Sequence, residues 1–130
     1  MQRQVAVRIG SVTSDCFSNC SGVPQGSTLG PLLFSLFIND VADMLSAGGM
    51  LFFADDVKIY LTIRNQTDYL VLQNILDALY DWCIRNMMVL CIPKCSVISF
   101  RRTMNAISFD YTVDGIQLQR VDYIKDLGVI

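Results

Sequence analysis

The most constraining stretch of this sequence is residues 50–63, MLFFADDVKIYLTI. An apolar run, residues 50–54, meets two adjacent carboxylates, Asp55 and Asp56. Beyond them Val57, Ile59, Leu61 and Ile63 alternate with Lys58, Tyr60 and Thr62, the period-two pattern of a half-buried strand. The apolar run has the length of a buried strand, so two strands joined tightly through Asp-Asp are expected, with both negative charges at the hairpin tip. The repulsion between carboxylates this close is relieved by a bound cation. Taken alone, the pair is read first as a solvated turn, because Asp is a common turn residue and hairpin tips are polar.

The flanking segments are expected to form a mixed α+β domain. Alternation over residues 4–12 predicts a strand with a turn at Gly10-Ser11, and residues 15–19 a second, short one. In residues 21–40, SGVPQGSTLGPLLFSLFIND, Ser27 or Thr28 is placed to cap a helix that takes Pro31 in its first turn. Leu32, Leu33, Leu36 and Phe37 give that helix an apolar face expected to be buried, and the helix is expected to continue through Val41, Ala42 and Leu45 until Gly48-Gly49 stops it. Residues 68–86 read as a long helix with Leu72, Ile75, Leu76, Leu79, Trp82 and Cys83 on one face and Asp77, Asp81 and Arg85 outside. Strands are then expected over 88–92 and 96–100. A hairpin is expected around Asp114-Gly115, and a closing strand from Val121 onwards.

Composition excludes several classes. With 52% hydrophobic residues and a mean hydropathy of +0.41, the 130-residue chain is unusually apolar. No run reaches the roughly 18–20 apolar residues of a membrane span; the longest, residues 29–38, contains Gly30, Pro31 and Ser35. The N-terminus lacks a signal-peptide core, so an intracellular chain is expected, with its five cysteines as free thiols and no disulfide partner. The absence of His rules out a mixed Cys/His zinc site. Ten basic residues against twelve Asp, a net charge of −2, argue against simple electrostatic binding of nucleic acid. So apolar a chain fits a piece of something larger whose surfaces face neighbours.

Four segments then carry a resemblance. SGVPQGSTLGPLLF (residues 21–34), followed by FADD (residues 53–56), resembles motifs B and C of the reverse transcriptase palm, in the non-LTR (LINE-like) retrotransposon class. Leu79, Trp82 and Asn86 leading into LCIPKC (residues 90–95) are similar to the motif D region, and YIKDLGV (residues 123–129) to the primer grip, motif E. The motif B string is the specific element; FADD alone is weak.

The resemblance implies one partial reverse transcriptase domain over residues 1–130. It would be an incomplete polymerase palm, with an antiparallel sheet and helices packed on one face. It implies an RNA-directed DNA polymerase, a nucleotidyltransferase using two Mg2+ (or Mn2+) ions, with RNA template, DNA primer and deoxynucleoside triphosphates as partners and no membrane. Asp55 and Asp56 would be catalytic and metal-binding; Lys94 would neutralise or protonate the departing pyrophosphate; Pro24, Gln25, Gly26, Phe53, Leu127 and Gly128 would contact nucleotide or primer. Two departures qualify this. The family's first metal-binding Asp, in motif A, has no counterpart, since no Asp precedes Asp15, and Cys91 stands where the family usually has Asn. The chain by itself is therefore expected to be inactive, and the alternative is an inactive retroelement remnant with at most weak nucleic-acid binding. An unrelated α+β interaction module with an acidic hairpin is disfavoured by the motif B string.

Overall fold

The structure is a computed structural model and describes residues 3–20, 22–23, 26–44, 47–101 and 108–125. The chain divides into two compact units, Met1–Ile38 and Asn39–Ile130.

In the first unit, β1 (Arg3–Val5) pairs antiparallel with β4 (Phe17–Asn19), and β2 (Arg8–Ile9) pairs with β3 (Val12–Thr13) around Gly10-Ser11. The turn falls where expected, with Gly10 at φ +60°, a backbone region glycine enters without steric cost. The single strand expected over 4–12 is broken at Ala6-Val7. There Ser14 ties the two ladders, its Oγ accepting the Val7 N–H and its own N–H donating to the Val7 carbonyl, both at 2.9 Å.

Helix α1 (Gly30–Phe37) takes Pro31 in its first turn as the sequence predicts, but its N-cap is Leu29, with no side-chain cap, and Ser27 Oγ accepts the Gly30 N–H at 3.0 Å in the turn that leads into the helix. It ends earlier than expected. Asn39–Met44 is a 3-10 helix, because Asn39 and Asp40 are residue types that compete for backbone hydrogen bonds inside a helix. Leu32, Leu33, Leu36 and Phe37 are exposed, Leu36 by 66%, so the expected burial of this face does not occur. Among the described residues of this unit only Gly30 is buried, and ladders of two and three residues offer no surface broad enough to cover the helix.

The second unit holds the core. Helix α2 (Gln66–Arg85) begins two residues before the expected start. Asn65 Oδ1 accepts the Asp68 N–H at 3.1 Å, and the Asp68 carboxylate accepts the Asn65 N–H at 3.1 Å, a reciprocal cap at the helix start. Its inner face is the expected one: Ile75, Leu79, Trp82 and Cys83 are buried, each such apolar side chain contributing about 1.5–3 kcal/mol. The 3-10 segment packs against α2, and Val41 within it is 1% exposed. On Leu72 and Leu76 rest Tyr111, Val113 and Leu118, with Tyr69 stacked on Phe109 at 5.5 Å.

Those last residues come from β8 (Thr112–Val113) and β9 (Ile116–Gln117) and their flanks. The turn between the strands, Asp114-Gly115, has φ +52° and +70°, the pairing that the Asp-Gly dipeptide predicts. Tyr80 leans on the same turn: a hydrogen bond with Asp114, and then burial, push its phenol above the ordinary tyrosine range. Gln73 of α2 acts as a one-residue strand toward Thr112, its amide nitrogen donating to the Thr112 carbonyl at 2.8 Å and its oxygen accepting the Thr112 N–H at 3.0 Å. Gln73→Met leaves both backbone groups half-buried without partners, and urea denaturation is expected to show a loss of about 2 kcal/mol.

The remaining ladder joins β7 (Ser96–Ile98) to β10 (Gln119–Val121) in parallel, with Val97 opposite Arg120. The strand expected over 88–92 is absent. Residues 86–88 close α2 in a double hydrogen-bonded cap, Met87 N–H to Ile84 O at 3.2 Å and Met88 N–H to Cys83 O at 2.9 Å. Ile92–Lys94 is a 3-10 turn. Met87 occupies the left-handed position at φ +56° and is 93% exposed. Glycine fits that position without strain, so Met87→Gly is expected to raise stability by about 0.5–1 kcal/mol in the same assay.

With β5 (Gly49–Phe53) and β6 (Asp56–Tyr60), the described residues thus form two α-helices and five two-stranded ladders, four antiparallel and one parallel. The α+β class holds. Among the described residues the strands form separate two-stranded ladders, each strand with one partner. Among these residues no helix is long and apolar enough to cross a membrane.

Candidate active-site hairpin

β5 and β6 run antiparallel with Gly49 opposite Tyr60, Leu51 opposite Lys58 and Phe53 opposite Asp56. The tight turn is therefore Ala54-Asp55, one residue earlier than the expected Asp55-Asp56, and Asp56 opens the second strand. Opposed residues share a face. Leu51, Phe53, Asp56, Lys58 and Tyr60 lie on the exposed face, while Met50, Val57 and Ile59 are half-buried on the other. The period-two alternation of the sequence is borne out through Ile63.

Ala54 takes φ +51°, a left-handed conformation that costs an L-residue roughly 1–2 kcal/mol. The turn thus stores strain directly beside the two carboxylates, a placement common at functional sites. Asp55 and Asp56 are both exposed, one on the turn and one on the strand. Phe53 lies opposite Asp56 in the ladder and is 58% exposed.

The hairpin also depends on Gly48 and Gly49, the glycines expected to stop the preceding helix. Gly48 has φ +76°, and a Cβ there would lie 2.2 Å from the Tyr60 carbonyl oxygen; one on Gly49 would lie 2.3 Å from the Tyr60 ring. These glycines let β5 enter beneath Tyr60. A Gly-Gly pair abutting a strand was the available signal.

The other expected site residues are placed as follows. Gly26 sits at φ +80° with open space where a Cβ would be, so its backbone is accessible. Lys94 is exposed at the end of the 3-10 turn, its N–H donating to Cys91 O at 2.9 Å. Pro24, Gln25, Leu127 and Gly128 lie outside the described residues.

Chemically, Asp55 and Asp56 offer hard oxygen donors at an open tip, the donor type that Mg2+ and Mn2+ prefer. Among the described residues no group of three or more His, Cys, Asp or Glu is arranged to hold a metal, so this pair fits part of a metal site and not a whole one.

Three comparisons bear on what such a hairpin belongs to. Residues 5–130 match the family described as "Reverse transcriptase (RNA-dependent DNA polymerase)". The chain is 33% identical over 135 residues to the RNA-directed DNA polymerase from mobile element jockey of Drosophila funebris, an alignment covering 92% of this chain and 14% of that protein. It is 34% identical over 138 residues to the probable RNA-directed DNA polymerase from transposon X-element of Drosophila melanogaster, covering 98% of this chain and 14% of the relative. The chain therefore spans about one-seventh of the length of the curated relatives it matches. No solved structure matches it. With a family match over nearly the whole sequence and the Asp-Asp hairpin inside it, the chain belongs to the reverse transcriptase (RNA-dependent DNA polymerase) family.

Proposed function

We propose that residues 1–130 are the palm portion of an RNA-directed DNA polymerase of the non-LTR retrotransposon class. It would act on an RNA template, a DNA primer and deoxynucleoside triphosphates. The observation that carries this reading is the exposed Asp55-Asp56 pair at the tip of a tight antiparallel hairpin, inside the family match over residues 5–130.

Asp55 and Asp56 are the residues that would hold Mg2+ or Mn2+, which when bound supplies charge neutralisation at the phosphates and acidifies the primer 3′-hydroxyl. The chain's own residues do the positioning. The ladder from Gly49↔Tyr60 to Phe53↔Asp56 fixes where Asp56 stands, and the left-handed Ala54 sets the turn that carries Asp55. Phe53 presents an open aromatic face beside Asp56 for contact with a nucleotide or primer. The Lys94 ammonium, on its short turn, donates a proton or a compensating charge to the departing pyrophosphate. Gly26 offers backbone approach to a nucleotide, with Pro24 and Gln25 next to it in sequence, and Leu127 and Gly128 shape the primer contact.

Asp55 and Asp56 supply two carboxylates, and among the described residues no group of three or more metal-ligating side chains is arranged around an ion site, so the isolated chain is expected not to extend a primer. The same observation favours a second reading, a catalytically inactive remnant. Replacing the matching region of the jockey polymerase with residues 5–130 separates the two. The chimera is expected to extend a primer on an RNA template with magnesium at a rate within about tenfold of its parent. A folded chimera that holds primer–template and adds no nucleotide would favour the remnant.

A further inference from the structure

The five cysteines include two pairs with the same spacing: Cys16 with Cys20, and Cys91 with Cys95. Their backbones differ. Cys16 and Cys20 flank the extended strand β4, where four residues advance the chain about 13 Å, well beyond the roughly 7 Å between Cα atoms that a disulfide spans. Cys91 and Cys95 flank the 3-10 turn. Lys94 N–H donates to Cys91 O and Cys95 N–H to Ile92 O, both at 2.9 Å, and these bonds fold the chain back on itself.

As a result the Cys95 thiol donates to the Cys91 carbonyl oxygen at 3.5 Å. A carbonyl oxygen lies about 2.4 Å from its own Cα, so Cys95 Sγ is within about 6 Å of the Cys91 Cα. Cys91 is exposed, and rotation about its Cα–Cβ bond can carry its sulfur toward Cys95. Cys95 is fixed from the other side, half-buried against Tyr111, Val113 and Leu118. Cys83, the remaining thiol, is buried in α2.

We propose that Cys91 and Cys95 form a reversible dithiol–disulfide site that closes the turn carrying Lys94, with a small-molecule disulfide of the glutathione type as oxidant. The exposed Cys91 thiolate attacks one sulfur of oxidised glutathione and releases one glutathione thiolate. The Cys95 thiolate then attacks the Cys91 sulfur and releases the second. Two thiol protons pass to the two glutathiones, and the protein loses two electrons to the oxidant. Burial, and then the neighbouring Cys91, push the Cys95 thiol up, which suits it to the second, intramolecular attack instead of the first. The ring so formed holds Lys94 between its two sulfurs, on a turn whose role the polymerase reading assigns independently.

The test uses the full chain in a glutathione redox buffer. Free thiols are blocked with iodoacetamide in denaturant, disulfides are then reduced and labelled with N-ethylmaleimide, and peptides are mapped. Maleimide is expected on Cys91 and Cys95 together, at least about tenfold above Cys16 and Cys20. In Cys95→Ser, glutathione is expected to remain attached to Cys91. Pairing of Cys16 with Cys20, a stable mixed disulfide on Cys91 in the unmodified chain, or oxidation of Cys16 while Cys91 and Cys95 stay alkylated would each overturn the proposal.

Discussion

Asp55→Ala in the jockey polymerase carrying residues 5–130 is expected to lower magnesium-dependent primer extension at least about a hundredfold, because a lost metal-holding carboxylate removes several kcal/mol of charge stabilisation at the reacting phosphates. The same change should leave folding within about 0.5 kcal/mol, since Asp55 is an exposed turn residue. Asp55→Asn separates charge from shape: the amide keeps the volume and loses the negative charge, so it should be nearly as damaging as alanine. Asp56→Ala should also reduce extension, with a smaller loss if the turn carboxylate carries most of the ion contact. Steady-state extension beside urea denaturation of each variant checks the whole set. A variant that loses stability in proportion to activity would assign Asp55 a structural role instead.

Gly48→Ala is expected to have the largest effect on folding, a loss of at least about 2 kcal/mol. Two costs add. The position is left-handed at φ +76°, worth roughly 1–2 kcal/mol against an L-side chain, and the new Cβ would stand 2.2 Å from the Tyr60 carbonyl oxygen. That oxygen belongs to the partner strand, so β6 itself must move. Gly49→Ala gives the contrast. Its Cβ would meet only the far end of the Tyr60 ring, at 2.3 Å, which a side-chain rotation relieves. It should cost less, and Gly26→Ala, left-handed but in open space, should cost only its conformational penalty. Urea denaturation ranks the three, and equal losses at Gly48 and Gly49 would contradict the ladder geometry.

Much of the hairpin was legible because burial imposes a period of two on a strand, and residues 57–63 obey it. Helix α2 was legible for the same reason at a period near 3.6, and the Asp114-Gly115 turn because few dipeptides take two positive φ values cheaply. What failed is informative. The apolar face of α1 shows that a pattern reports what a helix offers for burial, not what covers it: Leu32, Leu33, Leu36 and Phe37 are exposed. The turn was misplaced by one residue because Ala54 carries the positive φ with no glycine to announce it. The parallel β7–β10 ladder could not be read at all, because three-residue strands contain no information about their partner. Of the site, the carboxylates were visible as residues, but the supporting Gly48 and Gly49 were visible only once Tyr60 stood over them.

Manganese titrated into the nitrogen-labelled chain tests the Asp55-Asp56 site most directly, because paramagnetic broadening of amide signals reports a weakly held ion where it sits. Signals of residues 53–57 are expected to broaden first, to recover on adding magnesium, and to be spared in Asp55→Asn. Broadening that begins at Asp40 and Asp43, or at Asp77 and Asp81, and is unchanged by Asp55→Asn would contradict a metal-holding role for the hairpin tip.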